Sequence, residues 1–264
     1  MNAIEDLANN LEPLGLADWR FFPTVGSTND VALNWAREGA ADWSLVVSDA
    51  QTKGRGRGER RWITKSGQAL AFSLVFRLKN SEIAYLPRVT ALAALGVIEA
   101  LGNLGLQARL KWPNDVLLKG AKVGGVLVEA DWQDDILLSV VIGVGVNVFP
   151  ASVPPDEVLR YPAIDITSVL GKKIDRWALL AQILKAMQSY RKILSEDAFI
   201  THWNQNLVWR EQWVKFQLPG EQPQAMRIIG VLPDGRLALE TCKGLRVESL
   251  TGEIIVEDFS ARKS

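Results

Sequence analysis

A loop rich in arginine and glycine has the residue types that bind anions. It runs from Lys53 to Arg61 and places five basic side chains among three glycines. Glycine permits positive φ and a close approach of the backbone to a ligand, and arginine offers a planar fork of donors that suits carboxylate and phosphate oxygens. The loop therefore favours an anionic ligand. A solvated surface loop and an arginine-glycine segment that touches RNA are the alternative interpretations.

A second group of polar residues follows a predicted strand. The run from Lys111 to Asp115 combines a lysine, an aromatic ring, an amide and a carboxylate, and Lys122 precedes the glycine pair at 124 and 125. Pro113 rigidifies the turn, and the two glycines leave room for a flat ligand against the backbone. An exposed turn lysine and a strand bulge are the alternative interpretations of Lys122 and of the glycines.

The composition excludes several other kinds of chemistry. The 264 residues include one cysteine, Cys242, and one histidine, His202. These numbers exclude a disulfide framework, a zinc site built from cysteine and histidine, and the usual pairing of a cysteine nucleophile. Thirty basic residues balance thirty acidic ones, so no overall field favours nucleic acid or a membrane. We interpret His202 and Cys242 as structural residues, because neither has a motif partner.

The distribution of apolar residues predicts a cytoplasmic protein that does not enter a membrane. Residues 1–20 contain acidic side chains and no continuous apolar run, so they match neither a secretory signal nor a membrane span. The longest apolar stretch, Ile136 to Val148, is too short to cross a bilayer and is interrupted by Gly143 and Gly145. We interpret this stretch as a buried central strand.

The elements that must position these motifs follow from apolar periodicity and turn residues. Ser27 and Asp30 match a capping box, which predicts that a helix begins there. Further helices are predicted over Pro87 to Leu101, from a cap at Asp175 through Leu194, and over Ala198 to Trp209. Strands are predicted over Leu45 to Asp49, Ala69 to Arg77, Ala108 to Trp112, Val123 to Trp132 and Ile136 to Val148. Because a short turn at 133–135 joins the last two strands, we expect a mixed, largely antiparallel sheet with the later helices on one face.

From Trp213 onward the sequence changes to short β-rich segments separated by turn residues. Short β-rich segments are predicted over Arg227 to Leu232, Arg236 to Glu240, Leu245 to Ser249 and Glu253 to Val256, with a turn at 233–235. This spacing is typical of a small β-barrel attached to a larger domain. We therefore divide the chain into a catalytic domain, residues 1–210, and a C-terminal β-barrel domain, residues 211–264.

Five short motifs, taken together, resemble the signature of the biotin protein ligases. They are Gly26 to Asn29, Gln51 with Gly54 to Arg57, Lys111 to Asp115, Lys122 with Gly124 and Gly125, and Gly143 to Asn147. Any one of them recurs by chance, but five in this order over residues 26–147 are very specific. The C-terminal β domain is also similar to that of the family. The resemblance implies an α+β fold, with a catalytic domain of the class II synthetase-like type and a small SH3-like C-terminal β-barrel.

The resemblance also implies a reaction in two steps that uses biotin, ATP and Mg²⁺. In the first step, the biotin carboxylate attacks the α-phosphate of ATP and gives biotinyl-5′-adenylate and pyrophosphate. In the second step, a lysine amine of a biotin carboxyl carrier protein domain attacks this mixed anhydride and releases AMP. Neither step requires an enzyme nucleophile, which agrees with the near absence of cysteine and histidine.

Motif matching implies roles for individual residues. The catalytic residues implied are Lys122, Arg57 and Asp115. The residues implied to bind biotin or ATP are Ser27, Thr28, Asn29, Gln51, Arg55, Gly56, Arg57, Trp62, Lys111, Asn114, Lys122, Gly124, Gly125 and Asn147. The hydroxyl and amide groups of 27–29 and 51 would meet the ureido ring, the loop arginines would close over the carboxylate and then the adenylate phosphate, and Lys122 would stabilise charge on the reacting oxygens. No residue is predicted to be a metal ligand.

Two positions depart from the family pattern. Glu59 is an acid where the family loop usually has a neutral or basic residue, and Leu232 stands where an aspartate is common. The electrostatics of the loop and the contacts with the carrier protein are the properties that these departures would change.

Three other functions compete with a ligase that has no DNA-binding domain. A ligase that is also a transcriptional repressor needs a helix-turn-helix of at least two packed helices, and only about twenty-five residues precede Gly26. A lipoate-attaching enzyme shares the fold, and an RNA-binding protein could use the arginine-glycine loop. The combined motifs favour biotin, and the balanced charge disfavours RNA. A homodimer formed through the sheet is compatible with the resemblance.

Overall fold

A seven-stranded mixed sheet forms the centre of the computed structural model, which describes residues 3–58, 60–155 and 161–255. Its strands are β1 (Asp18–Phe22), β2 (Ser44–Ser48), β3 (Ala69–Phe76), β4 (Ala108–Lys111), β5 (Asp115–Leu118), β6 (Ala121–Gln133) and β7 (Ile136–Asn147). Their order across the sheet is β1-β2-β3-β7-β6-β5-β4, and β1 and β2 are the parallel pair. The prediction of a mixed, largely antiparallel sheet is confirmed.

The central strands β3 and β7 are buried because they carry long apolar runs. Every residue of β3 is buried, and Leu70, Phe72, Leu74 and Phe76 face the main core, as alternation predicts. The short strands β1 and β5 were not predicted. The strand expected over Ala108 to Trp112 ends one residue earlier, at Lys111, and β5 pairs back on it in a tight antiparallel hairpin.

Helices cover both faces of this sheet. They are α1 (Ala3–Leu11), α2 (Thr28–Arg37), α3 (Val89–Asn103), α4 (Ile166–Leu170), α5 (Arg176–Lys192) and α6 (Asp197–Asn206). The helices α3 and α5 pack against the main core, whereas Ala32, Trp35 and Ala36 of α2 pack on the opposite face against Val46 and Val75. Helical cover is thus not confined to the later helices, and among the described helices α2 is the one that packs on the face that carries the predicted site.

Two predicted helix caps have different outcomes. Asp175 caps α5, since its carboxylate accepts hydrogen bonds from the backbone N–H groups of Trp177 and Ala178. Ser27 is the residue that precedes α2, but its side chain makes no capping hydrogen bond. The predicted capping box is therefore wrong, because Asp30 is paired with Arg55 of the glycine-rich loop.

The segment Asn80–Asn103 is long and apolar enough to cross a membrane by length and composition alone. It consists of a 3₁₀ helix, Asn80–Arg88, that continues into α3. Residues of α3 are buried around its whole circumference, because the sheet lies on one side and α5 on the other. This burial is typical of the central helix of a packed domain.

A second, five-stranded antiparallel sheet follows α6. Its strands are β8 (Trp213–Gln217), β9 (Gln224–Val231), β10 (Leu237–Thr241), β11 (Arg246–Ser249) and β12 (Glu253–Ile255), in the order β11-β10-β9-β8-β12. The prediction of a small C-terminal β domain is confirmed, and the predicted division at residue 210 falls between α6 and β8. Val256, the predicted end of the last strand, lies outside the described residues.

A buried arginine connects the helices of the first domain to the C-terminal sheet. The guanidinium of Arg88 donates hydrogen bonds to the carbonyl oxygens of Leu194 and of Pro233, at 2.7 and 2.8 Å. Pro233 begins the turn between β9 and β10, and an added Cβ on Gly235 in that turn would lie 2.9 Å from the ring of Pro87. The C-terminal sheet is thus held in a fixed position beside the N-terminus of α3.

Candidate functional site

The face of the central sheet that α2 covers changes from large to small side chains along its strands. The cross-strand pair Val75–Val141 is followed by the pair Ser73–Gly143 and then by Gly145. Alternate residues of a strand share a face, so these residues lie on the same side of the sheet. The decrease in size leaves a hollow beside the N-terminus of α2.

A cavity in this hollow brings most of the predicted site residues together. Its lining includes Ser27, Thr28, Asn29, Gln51, Arg55, Gly56, Arg57, Trp62, Asn114, Asp115, Lys122 and Gly125. Lys111 lines an adjoining cavity of about 680 Å³ between the two sheets, and Asp115 lines both cavities. Gly124 and Asn147 line neither of these two cavities. The five motifs therefore converge in space, as their resemblance to one signature implies.

Thr28, Asn29 and Gln51 form one hydrogen-bond network at the floor of the cavity. Gln51 Oε1 accepts from the backbone N–H of Thr28 at 2.8 Å and from its hydroxyl at 3.1 Å. Ser73 of β3 completes the network, since its Oγ lies 2.5 Å from Asn29 Oδ1 and 2.7 Å from Thr28 Oγ1. Because an amide oxygen only accepts, the Ser73 hydroxyl donates to Asn29. The first turn of α2 is thus fixed to the centre of the sheet.

The neighbours of Asn29 determine the orientation of its amide. Its Nδ2 donates to Glu129 Oε2 at 2.6 Å and to the carbonyl oxygen of Leu127 at 3.4 Å. A flipped amide would place its oxygen against these two acceptors, so Oδ1 must point toward Ser73. Gln51 uses its own oxygen inside the network, which leaves its Nε2 as a donor. The floor therefore offers the Gln51 N–H₂ group to a ligand beside a fixed Asn29 amide.

Two glycines of β7 allow other groups to approach the sheet closely. An added Cβ on Gly143 would overlap Asn29 Oδ1 and lie 2.8 Å from Asn29 Cγ. An added Cβ on Gly145 would lie 2.6 Å from Cζ2 of Trp62. The indole of Trp62 therefore rests on the backbone of β7, and its buried Nε1 has no hydrogen-bond partner among the described residues. Trp62 lines the same cavity as Asn29.

Arg55 is anchored by two carboxylates at the start of the loop. Its NH1 lies 2.6 Å from Asp30 Oδ1 of α2, and its NH2 lies 2.9 Å from Glu129 Oε2 of β6. Burial opposes the charged form of the guanidinium, but the two carboxylates outweigh that effect and raise the pKa of Arg55. Arg55 is thus a permanently charged link between the loop, α2 and the sheet.

The rest of the loop contacts the C-terminal sheet. Arg57 NH1 donates to the carbonyl oxygen of Gly252 at 3.2 Å, and Arg60 NH2 lies 2.5 Å from Glu253 Oε1. Both arginines line the cavity, so the C-terminal sheet supports the cationic side of the site. Glu59, the departure noted in this loop, lies outside the described residues.

Two lysines share one buried aspartate at the other side of the cavity. The ammonium group of Lys122 contacts Asp115 Oδ1, and Lys111 Nζ lies 3.7 Å from Asp115 Oδ2. Burial lowers the pKa of Lys111, and Asp115 partly offsets this effect. Gly125 makes room for this cluster, since an added Cβ would lie 3.2 Å from Lys122 Nζ. Gly125 thus leaves room for Lys122, a side chain of the protein, where the sequence predicted room for a ligand.

The backbone around Lys122 is fixed on both sides. Its N–H donates to the carbonyl oxygen of Pro162 at 2.7 Å, and its own carbonyl accepts from Ile164 at 2.9 Å. Asn114 and Asn147 also fix the backbone here, since their Nδ2 atoms donate to the carbonyl oxygens of Val126 and Ile164 respectively. These bonds hold the Lys122 side chain at one place in the cavity.

Comparisons with known proteins agree with this geometry. The model of the biotin/lipoate A/B protein ligase family matches residues 21–147. The biotin–[acetyl-CoA-carboxylase] ligase of Paracoccus denitrificans is 38% identical over 180 residues, which cover 66% of this chain and 72% of that protein. The chain belongs to the biotin protein ligase family.

Further relatives of this ligase extend the match to the C-terminal sheet. The bifunctional ligase/repressor BirA of Bacillus subtilis is 32% identical over 238 residues, which cover 86% of this chain and 70% of that protein. The structure of the biotin protein ligase from Aquifex aeolicus in complex with biotin and ATP has a TM-score of 0.74 at 28% identity, covering 89% of this chain and 97% of that one. The predicted family and fold class are therefore confirmed.

Three polar residues of the ligase site were not among the site residues predicted from the sequence. Ser73 is the one polar residue in the apolar run of β3, which was a signal that it has a specific partner. Glu129 lies two and four residues beyond Leu127 and Gly125, on the same face of β6, so alternation placed it next to the glycine motif. Asp30 was assigned to a helix cap, and this assignment concealed its role as a partner of the loop.

Proposed function

We propose that this ligase converts biotin and ATP to biotinyl-5′-adenylate and then transfers the biotinyl group to one lysine of a biotin carboxyl carrier protein domain. One observation carries the proposal. A single cavity joins a neutral amide floor, at Asn29 and Gln51, to a cationic rim that includes Lys122 and Arg57. Biotin has a neutral ureido ring at one end and a carboxylate at the other, so it can occupy both regions.

In the first step, a carboxylate oxygen of biotin bonds to the α-phosphorus of ATP, and pyrophosphate leaves. Negative charge accumulates on the phosphoryl oxygens as the bond forms. A cation that is already fixed in place stabilises this charge without reorganising. Lys122 meets this requirement, because its backbone and its ammonium group are both held in position. The adjoining cavity of about 680 Å³ has the size of a small-molecule site and offers room for the nucleotide.

In the second step, the neutral amine of the carrier lysine bonds to the carbonyl carbon of the adenylate, and AMP leaves while the amine loses a proton. The residues of the ligase bind and orient the two reactants. Asp115 lines both cavities, so its carboxylate can accept a hydrogen bond from the incoming amine. This assignment gives Asp115 a catalytic role in addition to holding Lys111 and Lys122.

We propose that Mg²⁺ enters the site with ATP. Among the described residues, no group of three or more histidine, cysteine, aspartate or glutamate side chains could hold a metal ion by itself. Mg²⁺ usually retains several waters and binds one or two carboxylates together with the phosphates of its substrate. Asp115 and Asn114 line both cavities and carry oxygen atoms, so they fit this mode. The ion would supply additional positive charge to the phosphate groups.

We infer a cytoplasmic ligase that does not act on DNA or on membranes. Thirty basic residues balance thirty acidic ones, so no overall field attracts either of these anionic partners. A homodimer is compatible with the proposal.

The choice between biotin and lipoate is tested by incubating the protein with MgATP, a biotin carboxyl carrier domain and either radiolabelled acid. We expect label from biotin on the carrier, and we expect pyrophosphate release from biotin and ATP without the carrier. A carrier whose acceptor lysine is replaced by arginine is the control. Labelling with lipoate and not with biotin would identify a lipoate-attaching enzyme, and RNA binding without either label would favour the RNA alternative.

Replacing Arg57 by glycine should release the adenylate into solution while adenylate synthesis continues. The change removes the hydrogen bond to Gly252 and adds backbone freedom to the loop, so the closed loop must overcome a larger ordering entropy. Loss of one charge-assisted hydrogen bond implies that the adenylate dissociates at least about tenfold faster. The measurements are the dissociation rate of biotinyl-adenylate and the biotin transferred to bystander lysines of serum albumin.

Lys53→Gly is the matched control for Arg57→Gly. It adds the same backbone freedom to an exposed position of the same loop and leaves the Arg57 contact intact. We expect this control to label the true carrier only. Wild-type dissociation by Arg57→Gly, or equal bystander labelling by both variants, would disprove the role of the arginine side chain.

A further inference from the structure

A carboxylate that no motif includes connects the floor of the cavity to the glycine-rich loop. Glu129 accepts from Asn29 Nδ2 at 2.6 Å through Oε2, and the same carboxylate accepts from Arg55 NH2 at 2.9 and 3.1 Å. Among the described residues, Glu129 is the side chain that bonds both to the amide floor and to an arginine of the loop. Its own side chain is 30% exposed, so the pair with Arg55 is partly shielded from water.

Each of the two partners depends on Glu129 for its orientation. Asn29 keeps its oxygen toward Ser73 because its Nδ2 faces the carboxylate of Glu129 and the carbonyl of Leu127. Without the carboxylate, the amide could rotate and present Nδ2 where Oδ1 now lies. Arg55 would retain Asp30, a side chain that is 52% exposed and therefore holds a guanidinium weakly.

We propose that Glu129 is a positioning residue for biotin: it fixes the orientation of the Asn29 amide in the lining of the cavity and, through Arg55, holds the start of the loop against the sheet. This inference depends on the proposed function, because it assigns the ligand of the amide floor as biotin. It also gives Arg55 a different role from that implied by the motif. Arg55 anchors the loop, and Arg57 and Arg60 supply the cations that face the ligand.

Glu129→Gln tests this role. Glutamine is neutral, so it loses the ion pair with Arg55, and its N–H₂ group replaces one of the two oxygens that accept from the Arg55 guanidinium. We expect the KM for biotin to rise about tenfold or more, as the loss of a hydrogen bond to a charged group implies. The KM for ATP and kcat for adenylate formation should stay near the wild-type values, because Lys122 and Asp115 are untouched. The rise in Tm that biotin produces should shrink in parallel, and this readout is independent of activity.

Asp131→Asn is the matched control. Asp131 lies two residues further along β6 and pairs with Arg37 of α2 at 2.8 Å, so it makes the same kind of strand-to-helix contact away from the cavity. We expect this variant to keep the wild-type KM for biotin. Glu129→Asp is the second test variant, since it retains the charge but is one methylene too short to reach both partners. We expect it to raise the KM for biotin to a smaller extent.

The outcomes separate this inference from the proposed function. If wild-type protein releases no pyrophosphate with biotin and ATP, the proposed function is wrong. If the wild type is active and Glu129→Gln has the wild-type KM for biotin, only the role of Glu129 is wrong. An equal rise in the KM values for biotin and ATP, with a lower Tm, would show a general structural role and would also overturn it. If Glu129→Gln does not fold, a wild-type KM for biotin in Glu129→Asp decides against the inference.

Discussion

Replacing Lys122 by alanine should slow biotinyl-adenylate formation about 100- to 1000-fold, the usual effect of removing one preorganised donor from a developing oxyanion. Lys122 is suited to this role because its backbone is bonded to Pro162 and Ile164, and because Asp115 fixes its ammonium group. A mobile surface lysine would have to be ordered during the reaction, and its contribution would be smaller. The measurement is pyrophosphate release with biotin and ATP in the absence of a carrier.

The variant should remain folded despite the loss of a buried ion pair. Removing one partner of such a pair is usually costly, because it leaves an uncompensated charge. Here Lys111 Nζ remains 3.7 Å from Asp115 Oδ2, so the carboxylate keeps a cationic neighbour. Lys119→Ala is the control, since Lys119 is an exposed lysine in the turn between β5 and β6. If Lys122→Ala released pyrophosphate as fast as this control, Lys122 would have no part in the first step.

The convergence of the site could be predicted from the sequence, because the motifs contain the residues that line the cavity. The hollow itself had a local signal in β7, where Gly143 and Gly145 alternate with valines and so fall on one face. The long strands β3 and β7 could also be predicted, since continuous apolar runs are typical of strands buried on both faces. These features depend on residues that are close in the sequence, so the periodicity of apolar residues and glycines indicates them.

Pairings between distant residues could not be predicted. The partners of Arg55 are Asp30 and Glu129, which are separated from it by 25 and 74 positions, and nothing local distinguishes these acids from exposed ones. The same is true of Trp62, whose packing on Gly145 depends on how the loop crosses the sheet. The sequence identified Arg55 as a cation and the fold determined its partners. An assignment by motif therefore gives the residue type of a site more securely than the role of each residue.

Replacing Gly143 by alanine should raise the KM for biotin about 10- to 100-fold, because overpacking at a close contact costs about 1–3 kcal/mol. The added methyl group would occupy the position of Asn29 Oδ1 and lie 2.8 Å from Cγ. Asn29 cannot move aside freely, since Ser73, Glu129 and Leu127 hold its amide. Asn29 would have to break one of these hydrogen bonds, and its amide would lose its fixed orientation in the lining of the cavity. The KM for biotin and the increase in Tm on adding biotin are the measurements.

Gly102→Ala is the control for Gly143→Ala, because Gly102 lies in the last turn of α3 and an added Cβ meets nothing within 4 Å. This control should bind biotin like the wild type and should be at least as stable, since alanine favours a helix over glycine. The KM for ATP should not change in either variant, because Gly143 lies at the amide floor and the cations lie across the cavity. If Gly143→Ala kept the wild-type KM for biotin, the Asn29 amide would not be a contact of the ligand, and the assignment of the floor to the ureido ring would be wrong.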